Sequence, residues 1–182
     1  MPTSRAMLRA VRRVVVVGNS GAGKSTLARA VAQRRALVHV ELDAFFHGPG
    51  WVPRASFVED VDRATAGGGW VVDGNYGVVR DLLWSRADTV LWLDLPRLVV
   101  EFQVLRRSFL RWTRREELWN GNREHGPVSW FLDPEHPVRW SWNTHASNRA
   151  LYGARFADQA FAHLRRVRLR SRAEVDAFIR GL

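Results

Sequence analysis

The stretch Val14-Val15-Val16-Val17-Gly18-Asn19-Ser20-Gly21-Ala22-Gly23-Lys24-Ser25-Thr26 constrains the fold of this chain more than any other. Four consecutive β-branched residues with no polar alternation fit a strand buried on both faces, the setting of a parallel sheet. Gly18 to Ser25 then match G-x-x-x-x-G-K-[ST], and Leu27, Ala28, Val31 and Ala32 continue at helical spacing with no proline between. Strand, glycine-rich turn and helix N-terminus in that order line up backbone N–H groups around a phosphate. Lys24 is the only lysine among 28 basic residues. A chain that otherwise uses arginine keeps a compact ammonium where a point charge fits between phosphates and a planar guanidinium does not. The candidate nucleotide-binding set is Gly18, Asn19, Ser20, Gly21, Ala22, Gly23, Lys24, Ser25 and Thr26. Lys24 is expected on the β- and γ-phosphates of ATP and the Ser25 hydroxyl on Mg²⁺.

The rest of the chain alternates strand and helix. Strands are expected at 12–17, 37–42, 69–73, 88–94 and 165–170, with helices near 24–35, 54–66, 78–85, 97–115 and 172–180 and part of 140–163 also helical. That alternation predicts an α/β chain, a three-layer P-loop NTPase fold whose central, mostly parallel five-stranded sheet is flanked by helices. The last helix is marked by a Ser171–Glu174 capping box, a Val175, Phe178 and Ile179 stripe and a terminating Gly181. No repeat or low-complexity linker interrupts residues 1–182, which read as a single domain.

Composition narrows the setting. Cysteine is absent, which excludes disulfides, thiolate metal sites and cysteine nucleophiles and fits a reducing, cytoplasmic compartment. Arg5, Arg9, Arg12 and Arg13 ahead of four valines superficially resemble a signal peptide, but the apolar run is too short and leads into the phosphate loop. No stretch approaches the roughly 20 apolar residues of a membrane span. The net charge of +10 is uneven, with 12 basic and 9 acidic residues in 1–96 against 16 and 9 in 97–182. Such an excess attracts ATP or nucleic acid alike and does not choose between them.

Three aspartates fall at the C-terminal ends of expected strands, where open α/β sheets bind ligands. Asp43 follows Val38 to Leu42, Asp73 follows Trp70-Val71-Val72, and Asp94 follows Val90 to Leu93. Asp43 and Asp73 are read as functional, able to hold Mg²⁺ or accept a hydroxyl proton. Asp94, before Leu95-Pro96, is read as an exposed carboxylate capping the next turn.

The phosphate loop, the Val-Val-Asp73-Gly74 strand end and the Leu93-Asp94-Leu95-Pro96 strand end, in this order, resemble adenylate-kinase-like P-loop kinases. Adding Leu42-Asp43, Gly50-Trp51, Trp70 to Tyr76 and the arginine-rich helix, the chain most resembles the small bacterial P-loop proteins labelled DNA topology modulation proteins. The resemblance implies an ATP site at the P-loop, Asp73 as the Walker B-like carboxylate on Mg²⁺, and a helical lid at about 106–140. Two positions depart from the adenylate-kinase pattern, with Gln103 and Gly77 where arginines are usual and Arg107 retained.

From 97 to 115, Leu98, Phe102, Leu105, Phe109 and Trp112 recur at steps of 4, 3, 4 and 3, so their side is expected to face the core. Arg107, Arg111 and Arg114 then share the opposite side, where a closing triphosphate would exchange their mutual repulsion for charge-assisted hydrogen bonds. Five of nine tryptophans lie in 112–142. Because Glu116, Glu117, Glu124, Asp133 and Glu135 interrupt the arginines, these rings are read as anchors of lid and helix rather than a nucleic-acid stacking surface. Arg54 and Arg63 are candidates for holding an anionic acceptor. His39 is expected to be packed or paired, and Trp119 to Glu124 to form a tight turn in a polar loop.

Together these features predict transfer of the γ-phosphoryl group of Mg·ATP to a small acceptor, a nucleoside monophosphate, a nucleoside or another hydroxyl compound. The catalytic candidates are Lys24, Asp43, Asp73, Arg107 and Arg111, with Arg107, Arg111 and Arg114 also on the nucleotide. The alternative is a nucleotide-dependent regulatory or DNA-associated protein, or a plain ATPase.

Overall fold

A computed structural model describes residues 11–182. Arg5 and Arg9, which entered the signal-peptide comparison, lie outside the described residues.

The valine run forms β1 (Arg13–Gly18), and the glycine turn leads into α1 (Lys24–Arg35). The chain continues through β2 (Val38–Glu41), a short α2 (Leu42–Phe46), α3 (Phe57–Thr65), β3 (Trp70–Asp73), α4 (Gly77–Arg86) and β4 (Thr89–Leu93). Next come α5 (Arg97–Thr113), α6 (Pro127–Leu132), α7 (Pro137–Ala157), β5 (Arg165–Leu169) and α8 (Arg172–Arg180). All five strands are parallel, in the order β2-β3-β1-β4-β5.

The alternation of β1 side chains assigns the two faces. Val15 and Val17 enter one core with Phe57, Val61, Val79, Leu83, Trp84 and Tyr152, so α3, α4 and α7 cover that side. Val14 and Val16 enter the other with Leu27, Val31 and Val175, under α1 and α8. Every one of these residues is at most a few per cent exposed, at roughly 1.5–3 kcal/mol for each large apolar side chain. Both sheet faces are therefore dry, and ligands are left the C-terminal strand ends. The expected capping box closes α8, with Glu174 N–H donating to Ser171 Oγ at 3.2 Å and Arg170 N–H to the Glu174 carboxylate at 2.8 Å. No described helix is long and apolar enough to cross a membrane.

The expected orientation of α5 is reversed except at Leu105, which packs on the Val104, Trp130 and Val138 cluster. Val100, Glu101, Val104 and Ser108 are its buried residues, whereas Leu98 is 77 %, Phe102 69 %, Phe109 51 % and Trp112 41 % exposed. The cause is close approach: a Cβ on Gly21 would lie 2.7 Å from Val104 Cβ. That approach leaves room only for Val100 and Val104 against Gly21, and the bulky stripe faces outward. The expectation that the tryptophans anchor the lid holds for Trp130, which is buried with its indole N–H on His125 O at 2.9 Å. It fails for Trp112, Trp140 and Trp142, which are 41–53 % exposed.

Candidate active site

The turn after β1 is shaped by glycines at positive φ, +81° at Gly21 and +93° at Gly23, which caps α1. This is a backbone conformation that side chains resist, so the row of N–H groups is set by the chain itself. Lys24 Nζ donates to Asn19 O at 3.0 Å. Burial lowers the Lys24 pKa, Asp43 and Asp73 oppose that, and Arg107 adds to it. Four charges from α1, α2, β3 and α5 thus act on one another in one place. Ser25 is half-buried and Thr26 exposed.

Asn19 is buried and fully partnered by α7. Its Nδ2 donates to Ser141 O and Oγ at 2.8 and 2.9 Å, while its Oδ1 accepts from Thr144 Oγ1 at 3.1 Å and Asn148 Nδ2 at 2.9 Å. Ser141 Oγ also lies 3.1 Å from Ser20 O. Asn75 ties the end of β1 to the same helix, donating to Gly18 O at 2.6 Å and accepting from Tyr152 Oη at 2.7 Å. Sequence reasoning missed these supports. Their signal was a polar Ser141, Thr144 and Asn148 series at steps of 3 and 4 on a helix otherwise without a clear amphipathic pattern.

Asp73 ends β3, buried, with Oδ1 3.0 Å from His39 Nε2 on β2. His39 is therefore a paired residue, as expected. Asp43 lies in the first turn of α2, where its Oδ1 accepts from Tyr76 Oη at 2.8 Å. Burial, then the Asp43 charge, raises the Tyr76 pKa far beyond the usual phenol range, so Tyr76 remains a donor. Tyr76 Oη is also 3.3 Å from His47 Nε2. Asp94 corrects its expectation: it is buried, with Oδ2 accepting from Arg168 Nε and Nη2 at 3.0 and 2.6 Å and Oδ1 3.0 Å from Arg149 Nε. It ties β4, β5 and α7 rather than capping a turn.

The three arginines of α5 diverge. Arg107 is half-buried, with its Nε shielded from solvent and without a hydrogen-bond partner, and burial followed by the neighbouring Arg111 charge lowers its pKa against the pull of Glu124 and Asp43. Arg111 donates to Glu124 Oε1 at 2.9 Å. Arg114 caps the helix, exposed, so the expected shared arginine face does not form. Arg54 and Arg63 both pair with Asp60, at 2.8 and 3.3 Å.

The expected tight turn is present, with Asn120 and Gly121 at positive φ and Leu118 N–H on Asn122 O at 2.7 Å. It docks on the segment after α2. Asn122, 5 % exposed, accepts from Trp51 N–H at 3.0 Å and donates to Gly48 O at 2.9 Å, and Asn120 donates to His47 O. Chemically, the assembly offers a glycine-shaped backbone cradle, an ammonium, a guanidinium unpartnered at Nε and two carboxylates at the C-terminal ends of the strands and the helices that follow them.

No family model and no curated protein matches this chain. Solved structures do. The chain is similar to a gluconokinase from Sinorhizobium meliloti 1021, with 17 % identity and a TM-score of 0.53 over 93 % of this chain and 88 % of that one. It is similar to a shikimate kinase from Acinetobacter baumannii in complex with shikimate, with 13 % identity and a TM-score of 0.59 over 98 % and 93 %. A sugar kinase from Janibacter sp. HTCC2649 gives 22 % identity and a TM-score of 0.51 over 93 % and 91 %. The fold is that of P-loop kinases.

Proposed function

We propose that the protein transfers the γ-phosphoryl group of Mg·ATP to a hydroxyl of a small acceptor. The observation that carries this reading is Arg107, whose Nε is buried with no hydrogen-bond partner, within the electrostatic reach of Asp43 and of Lys24. A buried guanidinium N–H without an acceptor costs stability unless an anion completes it, and the anion that suits a P-loop beside it is a terminal phosphoryl group.

In this reading Lys24 and the N–H groups of residues 18–26 hold the phosphates, and Arg107 neutralises charge developing on the transferred group. Arg111 joins it after exchanging Glu124 for phosphate, with Arg114 at the rim. Asp43, oriented by Tyr76, accepts the acceptor's proton; a carboxylate takes several hydrogen bonds, so Tyr76 leaves it free to do so. Mg²⁺ would be held by the Ser25 hydroxyl and by Asp73, directly or through water, and would supply charge neutralisation on the phosphates. The residues fit that ion: Asp73 is a buried carboxylate at the C-terminal end of β3 that meets His39 through Oδ1, and a carboxylate and a hydroxyl are the oxygen donors Mg²⁺ takes.

The names of the structural neighbours, gluconokinase, sugar kinase and shikimate kinase, support a small-molecule acceptor. Residues 1–182 are read as one kinase domain with its lid at about 106–140, working in the cytoplasm, where ATP is supplied. The DNA topology resemblance adds no activity to this reading.

The test is ADP release from Mg·ATP by wild type and Lys24→Ala, with nucleosides, nucleoside monophosphates, sugars and DNA added singly. Lys24-dependent stimulation by a small acceptor is the expected result. Stimulation by DNA alone, or undiminished turnover by folded Lys24→Ala, would refute the proposal.

A further inference from the structure

Resting on the kinase reading, we infer that Glu124 and His136 position Arg111: Glu124 holds the guanidinium in the resting lid, and the His136 Nε2–H receives the carboxylate when Arg111 turns to a phosphoryl group.

Glu124 has one carboxylate oxygen in use and one waiting. Its side chain is 3 % exposed, and its Oε1 accepts from Arg111 Nη1 at 2.9 Å. Its Oε2 is buried without a hydrogen-bond partner, and so is Nε2 of His136, whose side chain is 5 % exposed. The two atoms lie 4.0 Å apart, outside hydrogen-bond reach by about 1 Å. Buried polar atoms are nearly always paired, so a donor and an acceptor left this close without partners mark a contact that belongs to another state of the protein.

The imidazole is built to donate from that nitrogen. His136 caps α7, with Nδ1 accepting from Val138 N–H at 3.3 Å, and this bond assigns the proton of the neutral ring to Nε2. The ring stacks on buried Trp130 with 24° between the planes, and Trp130 packs in turn with Val104 and Val138. His136 is thus held by α6 and α7, whereas Glu124 sits in the loop ahead of α6, so the carboxylate is the part that moves. Burial lowers the His136 pKa, Glu124 and Asp133 oppose that, and Arg107 and His125 add to it. The result is a neutral donor that serves Glu124 without drawing a proton from solvent.

The exchange of Arg111 requires such a donor. Once Arg111 leaves, Glu124 would be a buried charge without a partner, which penalises the phosphate-bound arrangement. Arg107, the other cation that feels Glu124, belongs with the transferred phosphoryl group, and Glu116, 3.8 Å from Arg111 Nε, is itself an acid. His136 is the donor that remains. Because it binds Glu124 only after Arg111 has gone, it favours the liganded arrangement over the resting one, and nucleotide affinity rises by that difference. Neither residue needs to touch the nucleotide, so both are positioning residues.

Two substitutions separate this role from capping. Asparagine keeps an acceptor near the Nδ1 position and caps α7 but is too short to reach Glu124, whereas glutamine carries a donor near the Nε2 position and is a poorer cap. In the full chain without nucleotide, His136→Asn should melt like wild type, yet bind Mg·ATP about tenfold more weakly. His136→Gln should melt lower and bind within about twofold of wild type. Glu124→Gln removes the charge to be received, so in that background His136→Asn should have no effect on binding. Titration calorimetry and thermal melts read both, with Lys24→Ala as the control for binding at the P-loop. Full-strength Mg·ATP binding by His136→Asn, or a loss that persists beside Glu124→Gln, overturns the inference, and Lys24-dependent binding then leaves the kinase reading standing. Absence of Lys24-dependent Mg·ATP binding overturns both.

Discussion

The two walls of the crevice are made of different material. On one side, residues 18–25 form the site from backbone: positive-φ glycines, the N-terminus of α1 and one ammonium, all within eight consecutive positions. On the other, α5 and the 118–124 loop form it from side chains, with Arg107 unpartnered at Nε, Arg111 held by Glu124 and Asn122 spanning two loops. The first wall can be specified by a short stretch of chain, and its geometry is present before any ligand arrives. The second exists only after α5, the lid and the segment after α2 have met, and its charges are poised rather than satisfied. On the proposed function, a phosphate would complete what the second wall lacks, while it would merely occupy the first.

If that division holds, the largest effect belongs to the backbone wall's single charge. Lys24→Ala should lower phosphoryl transfer by about a thousandfold while leaving the fold intact, because among the described residues Nζ donates to Asn19 O and forms no ion pair. Circular dichroism together with single-turnover kinetics checks both halves. Loss of folding would mean that the ammonium supports the turn instead of awaiting phosphate.

Arg107→Gln makes the contrast sharper, because stability and activity should move in opposite directions. Removing a desolvated cation without a full complement of partners should raise stability by about 1 kcal/mol, while turnover falls by about a hundredfold. Denaturant melts beside kcat measurements decide it. A destabilised variant would make Arg107 a structural partner of Glu124 and remove the main support for the proposed function.

A paired substitution on α5 tests its orientation. Val104→Ala, at a position with no exposure against Gly21, should cost about 2 kcal/mol, and Phe102→Ala, 69 % exposed, should stay within about 0.5 kcal/mol. The reverse order in urea melts would restore the orientation expected from the sequence.

That reversal marks where the sequence stops being legible. The five strands and the helices beside them follow from local signals, Val14 to Val17 for β1 and the Ser171–Glu174 cap for α8, and Lys24 was visible because its motif is contiguous. Asp43 and Asp73 stood out because strand ends are ligand positions in such sheets. The stripe of α5 misled because its 4-3-4-3 spacing measures amphipathicity and says nothing of how near the facing backbone comes. Gly21 brings α5 too close for Phe102 or Phe109, so the weaker pattern of Val100, Val104 and Ser108 wins the interior. The link among Asn122, Trp51 and Trp119 was beyond reach for a related reason: three residues separated by up to 71 positions carry no shared period, and only the docked 118–124 loop relates them.

The smallest effect is a titration. Glu101, on the inward side of α5, has its pKa raised by burial, while a hydrogen bond from Ser141 and the charges of Arg97 and His145 pull it back. A raised folded-state pKa means the fold prefers the protonated acid, so Glu101's contribution to stability is complete below the unfolded carboxyl value of 4.5 and is lost as pH rises through the higher folded value. Glutamine is a fixed mimic of the protonated form. Glu101→Gln should therefore match wild type at about pH 4 and melt higher at about pH 8, the gap opening with pH. Because Ser141 links Glu101 to Asn19 and Ser20, the same melts ask whether the side-chain wall supports the backbone wall. A gap that does not change with pH would show Glu101 ionised throughout, anchored by Arg97 and His145, and would leave the backbone wall independent of any titrating group on α5.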